Sequence, residues 1–177
     1  NNRARTLALM HLCAAAYPAT NDPAAEALDN GIRRDMSPEA MDELGAAGDL
    51  LFASSSSSGE DDAEAARWYR LSANQGHWEA QFRLGRLYAE GAAIAHPGEA
   101  SDPQSEAVRW YTLAAEQGHA EAQYGLGQLY FNGRGVDPDR AEAARWVERA
   151  ASQGHATAQT TLASMYETGA GVTANAS

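Results

Sequence analysis

Three histidines recur at a regular spacing and are the first residues in the sequence that could do chemistry. His77, His119 and His155 each close a Gln-Gly-His triplet, and the triplets are 42 and 36 residues apart. Histidine is a common metal ligand and acid–base group. Equivalent positions in packed helical units lie on the order of 10 Å apart, however, whereas zinc needs nitrogen ligands at about 2 Å. We therefore predict that these histidines serve helix starts and that no metal is bound.

The absence of lysine excludes several enzyme classes. The basic residues are 13 arginines with no lysine, which rules out Schiff-base chemistry, a Walker A phosphate loop and a Ser-x-x-Lys acyl-enzyme site. Glu106 and Glu142 stand three residues before Arg109 and Arg145, a helical spacing that favours surface ion pairs over acid–base catalysis. We predict no catalytic residue and no cofactor.

Net charge and cysteine content exclude further classes of partner and of metal site. The formal net charge of −11 opposes binding to a nucleic-acid backbone, whose affinity comes from clustered cations. The single cysteine, Cys13, excludes an intrachain disulfide and a multi-thiolate zinc site. The compartment stays undetermined, with the cytoplasm slightly favoured. No stretch approaches the roughly 18 apolar residues of a membrane span, so no transmembrane segment is predicted.

Composition predicts an all-helical protein built from repeats. The chain of 177 residues has 39 Ala and 14 Leu but only 4 Val and 2 Ile, so the residues that favour strands are scarce. Arg-Trp pairs at 67–68, 109–110 and 145–146 keep the same spacing of 42 and 36 as the histidines. The repeat is therefore 36 residues long, with six residues inserted once, in the loop around Ile94 to Ser101.

Each repeat is predicted to contain two helices. The segment Ala120 to Phe131 places apolar residues at helical spacing, and Gly133 follows as a stop signal. Asp137-Pro138 predicts the start of the second helix, with the aspartate as cap and the proline in the first turn, and Asp-Pro recurs at 102–103. Such a unit cannot bury its apolar stripe alone, so it must stack on its neighbours as a solenoid.

Two recurring residues inside the helices are predicted to serve packing. Gln81, Gln123 and Gln159 fall in the apolar face, where a side-chain amide needs backbone groups of an adjacent helix end as hydrogen-bond partners. Gly85 and Gly127 lower helix propensity by about 1 kcal/mol each, which favours close approach of another helix as their role.

The sequence resembles the Sel1-like repeat family, relatives of the tetratricopeptide repeats. The resemblance is carried by Ala-x-Ala-Gln-x-x-Leu-Gly-x-x-Tyr-x-x-Gly at 120–133, the loop Gly-Val-Asp-Pro-Asp at 135–139, and Ala-x-x-Trp followed by Ala-Ala within 143–151. It extends over about residues 60–171. It implies an all-α fold in which two-helix repeats stack into a right-handed α-α superhelix.

The domain organisation follows from the repeat landmarks. Residues 1–35 carry helix candidates without landmarks and are predicted to form an N-terminal helical cap. The solenoid is predicted at 36–177, with a degenerate unit at 38–74, units at about 75–116 and 117–152, and a half unit at 153–171. The last helix, with Met165, is half uncovered, which predicts a longer protein or end-to-end association with another copy.

The resemblance also implies that the first helix of each unit lines a concave surface. Residues on these helices that point away from the predicted packed side mix aromatics with arginine, the types that anchor protein interfaces. These candidate protein-binding residues are Glu79, Phe82, Arg83, Arg86, Glu90, Glu121, Tyr124, Gln128, Phe131, Asn132, Thr160 and Ser164.

The function predicted from the resemblance is a non-enzymatic scaffold or adaptor that binds a protein or peptide segment, within a larger complex. One alternative is a regulatory segment of a longer multidomain enzyme, such as a kinase that carries these repeats. Another is β-lactam hydrolysis, described for cysteine-rich relatives, but this chain has neither their paired cysteines nor any lysine.

Overall fold

The computed structural model describes residues 59–91 and 102–173, which form six helices and no strand. The helices are α1 (Gly59–Asn74), α2 (Trp78–Glu90), α3 (Pro103–Glu116), α4 (Ala120–Asn132), α5 (Arg140–Ser152) and α6 (Ala156–Thr168). Each packs against the next in chain order, and the prediction of an all-α solenoid is confirmed. We call α2, α4 and α6 the first helices and α1, α3 and α5 the second helices. The predicted N-terminal cap and inserted loop lie outside the described residues.

The described helices are 13 to 16 residues long, and none combines the length and apolar character that crossing a bilayer requires.

The helix ends follow the predicted signals, except at the start of α5. The side chain of His119 accepts a hydrogen bond from the backbone N–H of Ala122 at 3.1 Å, and His77 and His155 cap α2 and α6 in the same way. Gly133 ends α4 with φ 66°, a left-handed conformation that glycine adopts at little cost.

The predicted start of α5 is wrong by two residues. Asp102 caps α3 directly before Pro103, as predicted, but the cap of α5 is Asp139. Its carboxylate accepts hydrogen bonds from the N–H groups of two first-turn residues, at 2.9 and 3.0 Å. The backbone N–H of Asp139 also donates to the carbonyl of Tyr130 at 3.0 Å. This bond fixes the loop so that Asp139, and not Asp137, lies at the helix start.

The core consists of alanine, leucine and large aromatic residues at repeat-equivalent positions. Ala65, Ala107 and Ala143 are fully buried on successive second helices, and Leu84 and Leu126 are fully buried on α2 and α4. On α6, a smaller cluster of buried residues includes Ala158 and Met165. Small residues at these positions bring neighbouring helices close together. The predicted end-to-end contact of α6 with another copy stays a prediction.

Close approach of helices explains the glycines inside the first helices, as predicted for Gly85 and Gly127 and, beyond the prediction, also at Gly125. The ring of Tyr111 on α3 lies between α2 and α4. A Cβ atom on Gly85 would stand 2.7 Å from Cδ1 of this ring, and one on Gly125 would stand 3.1 Å from Cε2. A Cβ on Gly127 would stand 2.8 Å from Cγ2 of Val147 on α5. Side chains at these three positions would therefore push the helices apart.

Glutamine amides tie each first helix to both of its neighbours in the chain. Nε2 of Gln81 donates to the carbonyl of Ala73 at the end of α1, at 3.1 Å. Nε2 of Gln117, in the loop before α4, then donates to Oε1 of Gln81 at 2.7 Å. Gln123 repeats both contacts, with the carbonyl of Ala115 at 3.0 Å and the amide of the next loop glutamine at 2.7 Å. The bond to the helix end was predicted, whereas the link between glutamines was not.

We predict that Gly85→Ala destabilises the protein by about 1–2 kcal/mol, although alanine has the higher helix propensity. The Tyr111 ring cannot move away from a new methyl group, because Gly125 contacts its other side. Urea denaturation followed by circular dichroism measures the change. Thr157→Ala, at an exposed position of α6, is the control and should leave stability unchanged or slightly raised. A Gly85→Ala protein as stable as the control would contradict this packing.

We also predict that Gln123→Leu lowers stability by about 1–3 kcal/mol, since it removes two hydrogen bonds, one to the carbonyl of Ala115 and one from the amide of Gln153. Gln123 is 5% exposed, whereas Gln128 on the same helix is exposed. Gln128→Leu is therefore the matched control and should change stability by less than about 0.5 kcal/mol. Equal unfolding midpoints in urea for the two variants would refute the bridging role of Gln123.

Candidate functional site

The first helices present one face, here called the first-helix face, on which the predicted binding residues fall into two groups. On α2 they form ion pairs along the helix. Nε of Arg83 lies 2.9 Å from Oε1 of Glu79, and Nε of Arg86 lies 3.6 Å from Oε1 of Glu90. On α4, the carboxylate of Glu121 lies 3.0 Å from Nε2 of His155. These side chains support the face but already have partners in the chain.

Phe82 does not point away from the packed side, so that expectation was wrong. The residue is only 9% exposed. Its ring centre lies 4.6 Å from that of His119 and 6.0 Å from that of Tyr111. Residues of the helix that follows and of the loop after it therefore cover Phe82, and a partner protein has little access to it.

The second group of predicted residues meets around one groove between α4 and α6, here called the α4/α6 groove. Its volume is about 390 Å³. Gly127, Val147 and Met165 form an apolar floor, together with Ala143. The predicted residues that line it are Tyr124, Gln128, Phe131, Asn132, Thr160 and Ser164. Half of the predicted set thus comes together at one place.

Polar but uncharged groups form the walls of the α4/α6 groove. Nε2 of Gln128 donates to the hydroxyl of Tyr124 at 3.0 Å, and that hydroxyl lies 3.4 Å from the hydroxyl of Thr161. Phe131 is 41% exposed at the rim, with the guanidinium of Arg140 5.6 Å from its ring centre. Among the described residues, none that lines the groove is acidic, basic or histidine.

Two features of this face were missed from the sequence. The floor of the groove was not predicted, because periodicity cannot show that a packed position such as Gly127 also borders open space. Met165 was placed on a half-uncovered helix but not at a binding site. The signal available was the valine at 147, where the preceding unit has a tyrosine at 111.

The exposure of Trp78 on α2 was also not predicted. This residue is 44% exposed and lies with its ring centre 4.7 Å from that of His119.

The capping histidines also link consecutive repeats. Nδ1 of His155 accepts the backbone N–H of Ala158 at 3.1 Å, while Nε2 lies 3.0 Å from a carboxylate oxygen of Glu121. His119 has the same arrangement, with Nε2 3.7 Å from Glu79. Since Nδ1 accepts, a neutral ring carries its proton on Nε2 and directs it at the carboxylate. Both ring nitrogens of His155 are therefore occupied within the protein.

Burial shifts two titrating groups on the inner side of this face. It lowers the pKa of His119 below its usual value of 6.5, and the nearby carboxylates of Glu79 and Glu121 oppose that shift only in part. Burial also raises the pKa of the Tyr111 hydroxyl to about 12, with a further contribution from Glu90. Both groups are therefore held in their uncharged forms at neutral pH.

The repeat pattern identifies the family. A family model described as Sel1 repeat matches residues 38–77, 78–119, 120–155 and 156–177. The chain belongs to the Sel1 repeat family. The second, third and fourth matches begin at α2, α4 and α6, three residues after the unit boundaries set by the Gln-Gly-His triplets, and the first match begins at residue 38, as the predicted degenerate unit does.

Two solved structures share this Sel1 repeat fold. A Sel1 repeat protein from Oxalobacter formigenes is 32% identical, with a TM-score of 0.64 over 84% of this chain and 59% of that one. The protein c5321, a protective antigen of uropathogenic Escherichia coli strains that displays an SLR fold, is 28% identical, with a TM-score of 0.66 over 99% of this chain and 35% of that one. This Sel1 repeat chain thus spans 59% and 35% of their lengths. No curated protein matches the chain.

We predict that the stability of this Sel1 repeat protein falls as pH drops below about 6.5 and that His119→Asn reduces this fall. With its pKa lowered in the folded state, His119 binds fewer protons there than in the unfolded chain. Stability therefore rises with pH up to the unfolded value and is lost below it. Asparagine still caps the helix but does not titrate. Urea denaturation between pH 5 and 8 gives the comparison, and identical pH profiles of the two proteins would contradict the assignment.

Proposed function

We propose that this protein is a non-enzymatic scaffold that binds a segment of another protein in the α4/α6 groove. Sel1 repeat proteins generally mediate protein–protein interaction. The observation that carries the proposal is the convergence of Tyr124, Gln128, Phe131, Asn132, Thr160 and Ser164 around one groove of about 390 Å³. The charged residues of the face on α2 are paired within the chain, whereas Gln128, Phe131, Asn132, Thr160 and Ser164 around the groove are exposed.

The groove suits a polypeptide because it combines an apolar floor with amide and hydroxyl walls. The side-chain amides of Gln128 and Asn132 each offer a donor and an acceptor, which match the N–H and C=O groups of a peptide backbone. The exposed ring of Phe131 and the half-buried ring of Tyr124 provide the apolar contact area typical of interface anchors.

The proposal that the protein is non-enzymatic is supported by the hydrogen bonds that His155 and Tyr124, beside the groove, already make within the chain. His155 is the nearest candidate base, but its Nδ1 accepts a backbone N–H and its Nε2 contacts Glu121. The hydroxyl of Tyr124 is likewise hydrogen-bonded by Gln128. Nucleophilic catalysis needs a base beside an accessible nucleophile, and both ring nitrogens of His155 are already occupied. The Sel1 fold is itself typically a non-catalytic scaffold.

We predict that Gln128→Ala/Phe131→Ala weakens partner binding at least tenfold, because two truncated anchors each cost more than about 1 kcal/mol. The partner is first captured from a lysate of the source organism with the unchanged chain as bait and identified by mass spectrometry. Its affinity is then measured by calorimetry with purified proteins. Circular dichroism checks that the double variant keeps its helicity.

Glu148→Ala is the control, since Glu148 is exposed on second helix α5 and does not line the groove. It should bind the partner with unchanged affinity. Equal affinities for the double variant, the control and the unchanged chain would place the contact on another surface and overturn the proposal. A second double variant, Arg86→Glu/Tyr124→Ala, changes one residue on α2 and one on α4. We expect it to abolish partner binding while leaving helicity intact.

A further inference from the structure

The α4/α6 groove exists because one aromatic side chain is missing from the repeat pattern. Tyr111 on α3 and Val147 on α5 are 36 residues apart and occupy the same position of their second helices. The Tyr111 ring extends between α2 and α4, where it contacts Gly85 and Gly125. Valine has no ring, so the corresponding space between α4 and α6 is left open.

The residues around the two sites correspond one to one. Gly127 is the equivalent of Gly85, and Thr161 is the equivalent of Gly125, each 36 or 42 residues further along the chain. Gly127, Val147 and Thr161 all line the groove. The space that a tyrosine ring fills between α2 and α4 is therefore the space that is accessible between α4 and α6.

The lining of the groove selects for an uncharged ring. The floor offers apolar surface and the thioether of Met165, which makes favourable contacts with aromatic rings. The hydroxyls of Tyr124 and Thr161 lie 3.4 Å apart and can bond a phenol or a backbone amide. No acidic or basic side chain lines the groove in the described ranges, so a charged group would lose hydration without a compensating partner.

The groove, with a volume of about 390 Å³, has room for an aromatic side chain and its flanking backbone. The side-chain amides of Gln128 and Asn132 can bond backbone N–H and C=O groups of a partner. Such groups are available on an extended segment, whereas a helix uses them internally, and this favours an extended segment.

We propose that the α4/α6 groove binds a tyrosine or phenylalanine side chain of a partner protein, presented on an extended and uncharged segment. The partner's ring takes the place that the Tyr111 ring occupies one repeat earlier. This inference rests on the proposed scaffold function and names the anchor by which the scaffold recognises its partner.

The test uses N-acetyl-tyrosinamide and N-acetyl-phenylalaninamide as probes, with the full chain labelled for nuclear magnetic resonance. We expect millimolar binding that shifts the amide signals of Gly127, Val147 and Thr161. N-acetyl-leucinamide and the amide of N-acetyl-glutamate are the comparison probes and should bind at least fivefold more weakly. Equal binding of the aliphatic or the acidic probe would overturn the inference, as would shifts confined to other parts of the chain.

A variant that fills the groove provides the second part of this test. Val147→Tyr/Thr161→Gly recreates the arrangement of Gly85, Tyr111 and Gly125, so it should keep or raise the melting temperature and reduce aromatic-probe binding at least tenfold. Glu148→Tyr adds the same ring one residue along α5, at an exposed position outside the groove, and should bind as the unchanged chain does. If the filling variant does not fold, Ser164→Trp blocks the groove from its exposed wall with the same expected loss.

The two proposals fail in different ways. If the partner loses affinity for Gln128→Ala/Phe131→Ala while the aromatic probes do not bind, the scaffold function stands and this inference is overturned. If the partner binds the Phe131 variant normally and the aromatic probes do not bind, both are overturned. Probe binding that is lost in Val147→Tyr/Thr161→Gly and retained in Glu148→Tyr supports the inference.

Discussion

Burying a polar amide between apolar helices requires that each of its groups find a partner, and this constraint sets the relation between repeats. Gln81 and Gln123 meet it by donating to the end of the preceding helix and accepting from the loop glutamine of the next repeat. A shift of one repeat against another would leave these groups unpaired. The capping histidines add a second link of the same kind, from the start of one first helix to a glutamate on the one before.

Within this fixed arrangement, single residues decide whether the space between neighbouring first helices is filled. Tyr111 fills it between α2 and α4, and its fit depends on Gly85 and Gly125. Val147 leaves it open between α4 and α6, where Thr161 stands at the repeat position of Gly125. The framework therefore stays constant while the face it presents varies from one repeat to the next. Structural and recognition roles are separated in the sequence by position within the repeat.

Local signals predicted much of this fold, and contacts between repeats account for what they missed. Capping by His119 and Asp102, the stop at Gly133 and the bond from Gln123 to a helix end all depend on residues near each other in sequence. The burial of Phe82 depends on Tyr111 and His119, which lie 29 and 37 residues further along the chain. The groove also needs side chains from three helices, so a single helix pattern identified its walls but not its floor.

The bond from a first-helix glutamine to the preceding helix end, and the contact of a capping histidine with a glutamate, recur with the same residue types among the described repeats, which makes the array modular in length. In-frame loss of residues 120–155 would join His119 directly to Ala156. His119 would then cap α6, and Gln159 would donate to the end of α3 as it now does to the carbonyl of Ala151 on α5. One contact would be new, because Thr161 would stand where Gly125 now faces the Tyr111 ring. Gene rearrangement can thus add or remove whole units while keeping the cap and glutamine contacts, and each event would bring a different pair of first helices together, whose side chains must then fit.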